Sequence, residues 1–298
     1  MGTKIRKKIN WKRQGVAYLF LLPFFIVFTI ACWYPMCKTI VYSFQRVNIM
    51  GFQGWVGLNN YLRMLKNPVF YTAWKNVLVF VLLSLILGAL VPIILAIIIN
   101  EMRRLTSLFQ TIVYLPALIP VSVGLIVWRQ IYAPNEGILN SLLKLAGIPP
   151  QLWLQDPALV KPAIIIVMTW FGAGGTTLIY LSALREIPLE LYEAAELDGF
   201  SVFKRIRYIT LPYISSRIKI LVVMQIIFVS QVFTEPFILT GGGPGNSTRT
   251  PAIVIYETAF SMNDFGLAAA WSVSILLILG VFSFLYVWWS QKEQQGEF

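Results

Sequence analysis

The chain has 298 residues, 57% of them hydrophobic and only 12% charged, against roughly 25% charged in an ordinary soluble domain. That balance excludes a soluble globular fold and places the chain in a bilayer as one helical domain over residues 1–298. A formal net charge of +11 does not imply nucleic acid, because the cations gather at the ends of apolar runs and in connections, where lipid headgroups meet them, and no basic binding module is present. With no histidine in the sequence, His-based triads, His metal ligands and near-neutral proton relays are excluded. Cys32 and Cys37 are too few for a disulfide framework or a metal site.

A helix needs about 20 mostly apolar residues to cross a hydrocarbon core, and the chain offers six such runs, at 16–36, 77–99, 109–131, 158–180, 217–235 and 267–289. The basic tail 1–15 carries Lys4, Arg6, Lys7, Lys8, Lys12 and Arg13. The run behind it is too long for a signal peptide and lacks a small-residue cleavage site, so it is the first span. A connection at 37–76, with GFQGWVGLNNYLRML inside it, is too long for a minimal turn and is expected to be partly helical along the membrane surface. Pro92 in the second run and Pro116 and Pro120 in the third predict kinked helices that a bundle accommodates. Trp33, Tyr34, Trp128, Tyr132, Trp288 and Trp289 fall near span ends, where amphipathic rings suit the headgroup level.

Six spans return both termini to one side, and the basic tail assigns that side to the cytoplasm. Arg103, Arg104, Arg185, Lys204, Arg205, Arg207, Arg217 and Lys219 fall on the same side. Lys38, Arg46, Arg63, Lys66 and Lys75 in the 37–76 loop run against the trend. In the fourth run, Thr169, Trp170, Gly172, Gly174, Gly175, Thr176 and Thr177 interrupt the apolar pattern, as do Gln225, Ser230, Gln231, Thr234 and Glu235 in the fifth. Polar groups at this depth need each other, water or a ligand, and small residues also permit close helix packing. Trp170, Thr176, Gln225, Ser230 and Gln231 from these, with the neighbouring Phe228, are the candidate lining of a solute route. Aromatic faces cover apolar C–H surface and amides bond polar groups, which sets Trp170, Phe228 and Gln231 first for contact with a solute.

Between those two runs lies YEAAELDGFSVFKRIRYITLP at 192–212, a polar helix–turn–helix pattern. Pro188 suits a first helical turn, and Glu186, Glu190 and Glu193 favour that end of the helix dipole. A helix over 188–198 is predicted, with Leu189, Tyr192, Ala195 and Glu196 at three- and four-residue steps and with Ala194 and Ala195 small enough for close approach of another protein. Gly199 stops it in the left-handed region, Ser201 caps a second helix over 202–209, and Pro212 marks the approach to the fifth span. After that span comes Leu239-Thr240-Gly241-Gly242-Gly243-Pro244, in a loop at 236–266 on the outer side. It lacks a Gly-Lys-Ser/Thr ending and follows no strand, so it reads as a tight turn and not as a phosphate cradle.

Glu193-Ala194-Ala195, then Gly199, then Ile209-Thr210-Leu211-Pro212, resembles the EAA loop of permease subunits of binding-protein-dependent ABC importers. The strings at 239–244, 265–272 (FGLAAAWS) and 55–65 (WVGLNNYLRML) are similar to segments of maltose-type carbohydrate permeases. The resemblance implies an all-α polytopic protein of six transmembrane helices, the type I ABC importer permease fold, with a cytoplasmic coupling loop at 186–212. It implies that Glu193, Ala194, Ala195, Asp198, Gly199, Ile209, Leu211 and Pro212 couple the chain to a separate ATPase. Glu193 would pair with a basic residue there. Further implied partners are a second homologous permease, an extracellular solute-binding protein, lipid and a carbohydrate. The setting implied is a bacterial or archaeal cytoplasmic membrane. In that family the sugar is held by the spans flanking the EAA loop, where Ala173, Gly174 and Gly175 here replace in part amide and aromatic side chains.

No Walker A pattern occurs in the sequence, so ATP and magnesium are expected on partner subunits and no cofactor or metal in this chain. An intramembrane enzyme would need an activated nucleophile, and no Ser or Cys has a histidine base. An ion-driven carrier would show inverted repeats and buried carboxylates. A non-sugar solute such as glycerol phosphate stays open, although an anion would favour buried cations along the route.

Overall fold

The computed structural model describes residues 11–102 and 105–294. Lys4, Arg6, Lys7, Lys8, Arg103 and Arg104 lie outside the described residues, and Lys12 and Arg13 enter as helical backbone alone. The chain is mostly helical. Among the described residues, five helices are long and apolar enough to cross a membrane, or six if one sharply bent pair is counted as a single span.

The first span, Tyr18–Tyr42, joins α1 (Trp11–Phe28) to α2 (Tyr34–Tyr42) through a π turn at Thr29–Trp33. Pro35 has no N–H to give and its ring crowds the carbonyl one turn back. The turn before it widens, and the Tyr34 N–H reaches Thr29 O, five residues back. The loop predicted as partly helical instead opens with a hairpin, β1 (Gln45–Asn48) against β2 (Gly51–Trp55), with a bulge between Arg46 and Val47. Then follow α3 (Asn59–Lys66) and α4 (Pro68–Glu101), which passes Pro92 without a break. α4 begins well before the predicted 77, because Asn67 caps it by accepting from the Val69 N–H.

The third predicted span is corrected. It is not one kinked helix but α5 (Thr106–Tyr114), a 3-10 turn at Leu115–Leu118 and α6 (Val121–Ile131), bent by 97°. Ile119, forced out of the helical region by Pro120, is extended at φ −78° and ψ 130°. Next come α7 (Ile138–Leu145) and α8 (Val160–Arg185). The coupling segment supplies α9 (Leu189–Leu197) and α10 (Val202–Arg205), which runs through a π turn at Ile206–Thr210 into α11 (Leu211–Val229). Pro212 therefore does not end a helix. Its missing donor is absorbed as at Pro35, with the Leu211 N–H on Ile206 O, and Val202–Val229 is one 28-residue run. That run stops short of the predicted 235. Thr234 and Glu235 open a separate helix, α12 (Thr234–Thr240), followed by α13 (Pro251–Tyr256) and α14 (Phe265–Gln294).

Contacts divide the described residues into two compact units. The first holds residues up to 64 together with 258–280. There the buried Asn60 amide donates to Ser43 O at 3.0 Å and Gln45 O at 2.9 Å. Gly266 packs so tightly on the Gln45 carbonyl that a Cβ would lie 2.1 Å away, and Arg63 pairs with Asp264 at 2.9 Å. The strings at 55–65 and 265–272 are thus brought together. The second unit holds 65–257 and 281 onward. In it α4 and α8 pack side by side in the same direction: Phe80, Ile164 and Ile165 share one buried cluster, and Ile93, Ala96, Ile99, Tyr180 and Leu184 share the next. Gly174 permits α5 to close on α8, since a Cβ there would lie 2.4 Å from Val113 O.

Candidate functional site

The segment after α8 is built as a rigid bracket. Pro188, predicted inside the first turn, precedes α9 instead: its ψ of 133° is non-helical and Leu189 is the first helical residue. α9 ends in a full Schellman arrangement, with the Phe200 N–H on Ala195 O at 2.8 Å and the Gly199 N–H on Glu196 O at 3.0 Å. Asp198 donates its N–H to Ala194 O at 2.9 Å, and Gly199 holds φ +73°, the region an L side chain disfavours. Ser201 then caps α10 through the Lys204 N–H.

Three cross-links close this bracket and fix it to α11. The Tyr192 hydroxyl bonds Thr210 Oγ1 at 3.0 Å. Tyr213 donates to Glu186 O at 3.0 Å, and Arg217 pairs with the Glu186 carboxylate at 2.9 Å. Ile187, Ile214, Tyr192, Ile209 and Leu211 pack into the cluster around Tyr180 and Leu184. Of the predicted coupling residues, Ile209 and Leu211 thus anchor inward, while Glu193, Ala194, Asp198, Gly199 and Pro212 stay exposed. Ala195 corrects its expectation. It is 6% exposed, so its small side chain lets α9 sit on its own chain and is not available to another protein.

What the sequence reading missed is the apolar skin of the bracket. Leu189, Leu197, Phe203 and Tyr208 are exposed, Leu197 at 90%. They alternate with Glu190, Glu193, Lys204, Arg205 and Arg207. Burial of such a skin needs a partner surface, and interfaces are built of apolar anchors ringed by polar groups. For Leu197 the signal lay in the sequence: two residues past Ala195, it falls on the opposite side of α9 from the inward set Tyr192 and Ala195.

The predicted solute-route residues separate into two groups. Gln225 is committed to the bundle, its amide donating to Ser84 O at 2.7 Å across Gly88. Ser230 is buried and donates to Ile226 O at 2.7 Å, and Thr176 donates to Gly172 O at 3.3 Å. Trp170 stands in an aromatic cluster, with ring centroids 4.9 Å from Phe171 and 5.6 Å from Trp128. Phe228 is open, 72% exposed, and Gln231 is exposed with its amide on Ile227 O at 3.2 Å.

At the other end of α8, the glycine-rich string forms the predicted turn. Gly241 closes α12 at φ +59°, and Thr248 Oγ1 bonds both Thr240 Oγ1 at 2.7 Å and Gly243 O at 2.8 Å. Beside it opens a cleft of about 830 Å³ lined by Arg129, Gln130, Gln155, Thr240, Gly241 and Gly243, among others. None of the six predicted route residues lines it.

Comparison with known proteins agrees with this architecture. Residues 88–293 match the family described as binding-protein-dependent transport system inner membrane component. The arabinooligosaccharides transport system permease protein AraP of Bacillus subtilis is 31% identical over 94% of this chain and 90% of its own. The trehalose/maltose transport system permease protein MalF of Thermococcus litoralis is 30% identical over 97% of both. Among solved structures, a chain of a bacterial ABC transporter involved in the import of the acidic polysaccharide alginate superposes with a TM-score of 0.84. It is 28% identical, over 94% of this chain and 96% of that one.

Proposed function

Because this chain belongs to the family of binding-protein-dependent transport system inner membrane components, we propose that it forms half of the pathway by which an ATP-driven importer moves a sugar or oligosaccharide across the cytoplasmic membrane of a bacterium or archaeon. The observation that carries the reading is the bracket at 186–212: an exposed apolar skin on a turn that is closed on itself by Tyr192–Thr210, tied to α11 by Tyr213–Glu186 and Arg217–Glu186, and packed on the end of α8 through Ile187. Such a part transmits force between a docked protein and the two spans. The docked protein is a separate ATPase, which binds the ATP and magnesium. Glu193, Ala194, Asp198 and Gly199 meet it, and Ile209, Leu211 and Pro212 carry its motion into α11. The chain itself performs no covalent chemistry.

A second permease of the same family completes the pathway, and an external solute-binding protein delivers the cargo. The termini and the bracket lie in the cytoplasm, and the string at 239–244 lies outside. Relatives named for arabinooligosaccharides and for trehalose and maltose favour a saccharide over glycerol phosphate. Trp170, Phe228 and Gln231 are the proposed contacts with sugar in transit. The test is uptake into proteoliposomes carrying both permeases and the ATPases, with the binding protein outside. Saccharide should accumulate only with ATP and binding protein together. Uptake driven by an ion gradient without ATP would overturn the reading.

A further inference from the structure

The cleft beside the glycine-rich turn is a second place for cargo, apart from the spans that flank the bracket. Its volume of about 830 Å³ falls in the range of roughly 300–1,000 Å³ typical of small-molecule sites. The side chains of Arg129, Gln130 and Gln155 line it, and none of the three has a hydrogen-bond or ion-pair partner among the described residues. The same cleft is lined by the end of α12, where the carbonyls of Ile238 and Leu239 accept no hydrogen bond among the described residues. Helix ends leave such acceptors open by construction, and the turn at Gly241 takes up only the Phe237 and Thr240 carbonyls.

A guanidinium, two amides and open backbone carbonyls on one lining suit a ligand that is both donor and acceptor along its length, as a polyhydroxylated ring is. An inorganic anion would suit the guanidinium but would meet the negative ends of α6 and α12. The one aromatic residue on this wall, Tyr132, is 2% exposed, with its hydroxyl spent on Ala163 O at 3.0 Å. No ring face is offered for stacking, so the grip is by hydrogen bonds alone and weak. We propose that this cleft is a saccharide subsite at the outer mouth, in which Arg129, Gln130 and Gln155 and the open end of α12 hold one or two sugar rings before they enter the spans. The inference rests on the reading of the chain as a saccharide importer. The 26-residue α8 rises about 39 Å between this cleft and the bracket, so loading here is remote from the ATPase contact.

The experiment uses the assembled importer without its binding protein, in a Cys32→Ser, Cys37→Ser background. A Gln130→Cys variant is labelled with a hydrophilic maleimide in the presence of trehalose, lactose or an arabinotriose. A Lys144→Cys variant on the exposed face of α7 serves as the control position. At least one saccharide should slow labelling at 130 several-fold with no change at 144, and adding Arg129→Leu should abolish the protection. Equal labelling with and without every saccharide, or protection at both positions, would overturn the subsite. ATP-driven uptake by the cysteine-free parent, measured in parallel with the binding protein supplied outside, separates the two claims. Uptake without protection removes the subsite alone, whereas absence of both removes the importer reading with it.

Discussion

Gly199 offers a substitution whose effect is set by backbone conformation alone. Its φ is +73°, and a Cβ built there meets nothing within 4 Å, so Gly199→Ala meets no steric obstacle and carries only the left-handed strain of an L residue, about 1–2 kcal/mol. If the ATPase docks on the bracket as it stands, that strain opposes the docked form. Binding of the ATPase subunit should then weaken by a factor of about 5–30. Gly199→Asn, which tolerates the left-handed region, should fall between glycine and alanine, and a branched Gly199→Val should be at least as poor as alanine. The assay is titration of the purified ATPase onto the permease pair in nanodiscs, with a thermal melt of each variant as a folding control. Equal affinity for the glycine, asparagine and alanine forms, with melts unchanged, would refute the claim that this turn must hold its present conformation for docking.

Three further substitutions test other parts of the account. Gly174→Ala would force a Cβ to 2.4 Å from Val113 O, whereas Gly172→Ala and Gly175→Ala meet open space. The first should lower stability in detergent by about 1–3 kcal/mol and the other two should not, which a comparison of melting curves decides. Tyr192→Phe removes only the hydroxyl bonded to Thr210. It should cost about 1 kcal/mol of stability and reduce uptake per ATP hydrolysed, while an unchanged transport stoichiometry would deny the cross-link a part in coupling. Phe228→Ala, at a side chain 72% exposed, should reduce uptake without shifting the melt, and normal uptake would remove Phe228 from the route.

The spans and the bracket were legible because their signals are local and strong. Long apolar runs leave few alternatives in a bilayer, and Gly199 three residues after the helical Glu196, with Ser201 following, encodes a stop and a restart in adjacent residues. Prolines were harder to place. Pro212 resembles a boundary in sequence, yet one widened turn absorbs its missing donor, as happens at Pro35. Pro120 does break its helix, and what distinguishes it is the extended Ile119 before it, a conformation that proline favours in its predecessor but that Tyr34 and Leu211 do not adopt before Pro35 and Pro212. The hairpin at 45–55 escaped because QRVN and GFQGW alternate too briefly to stand out beside apolar helices. Its register is held by Asn60 and Gly266 from distant segments. Ala195 and Gln225 were misjudged for one reason: in a membrane bundle a small or polar residue serves close packing as readily as it serves a ligand. Only the fold tells which, through the burial of Ala195 in one case and the Ser84 carbonyl in the other.

The central claim, that this chain is driven by an ATPase seated on its bracket, is tested most directly by affinity purification of the tagged chain from its native membranes in mild detergent, comparing the unaltered chain with Glu193→Lys. Glu193 is exposed on α9, so reversing its charge leaves the fold intact while placing a cation where a basic partner residue is expected. The account predicts ATP hydrolysis that accompanies the unaltered chain and drops away with the variant. A folded permease from which neither preparation recovers an ATPase would contradict it.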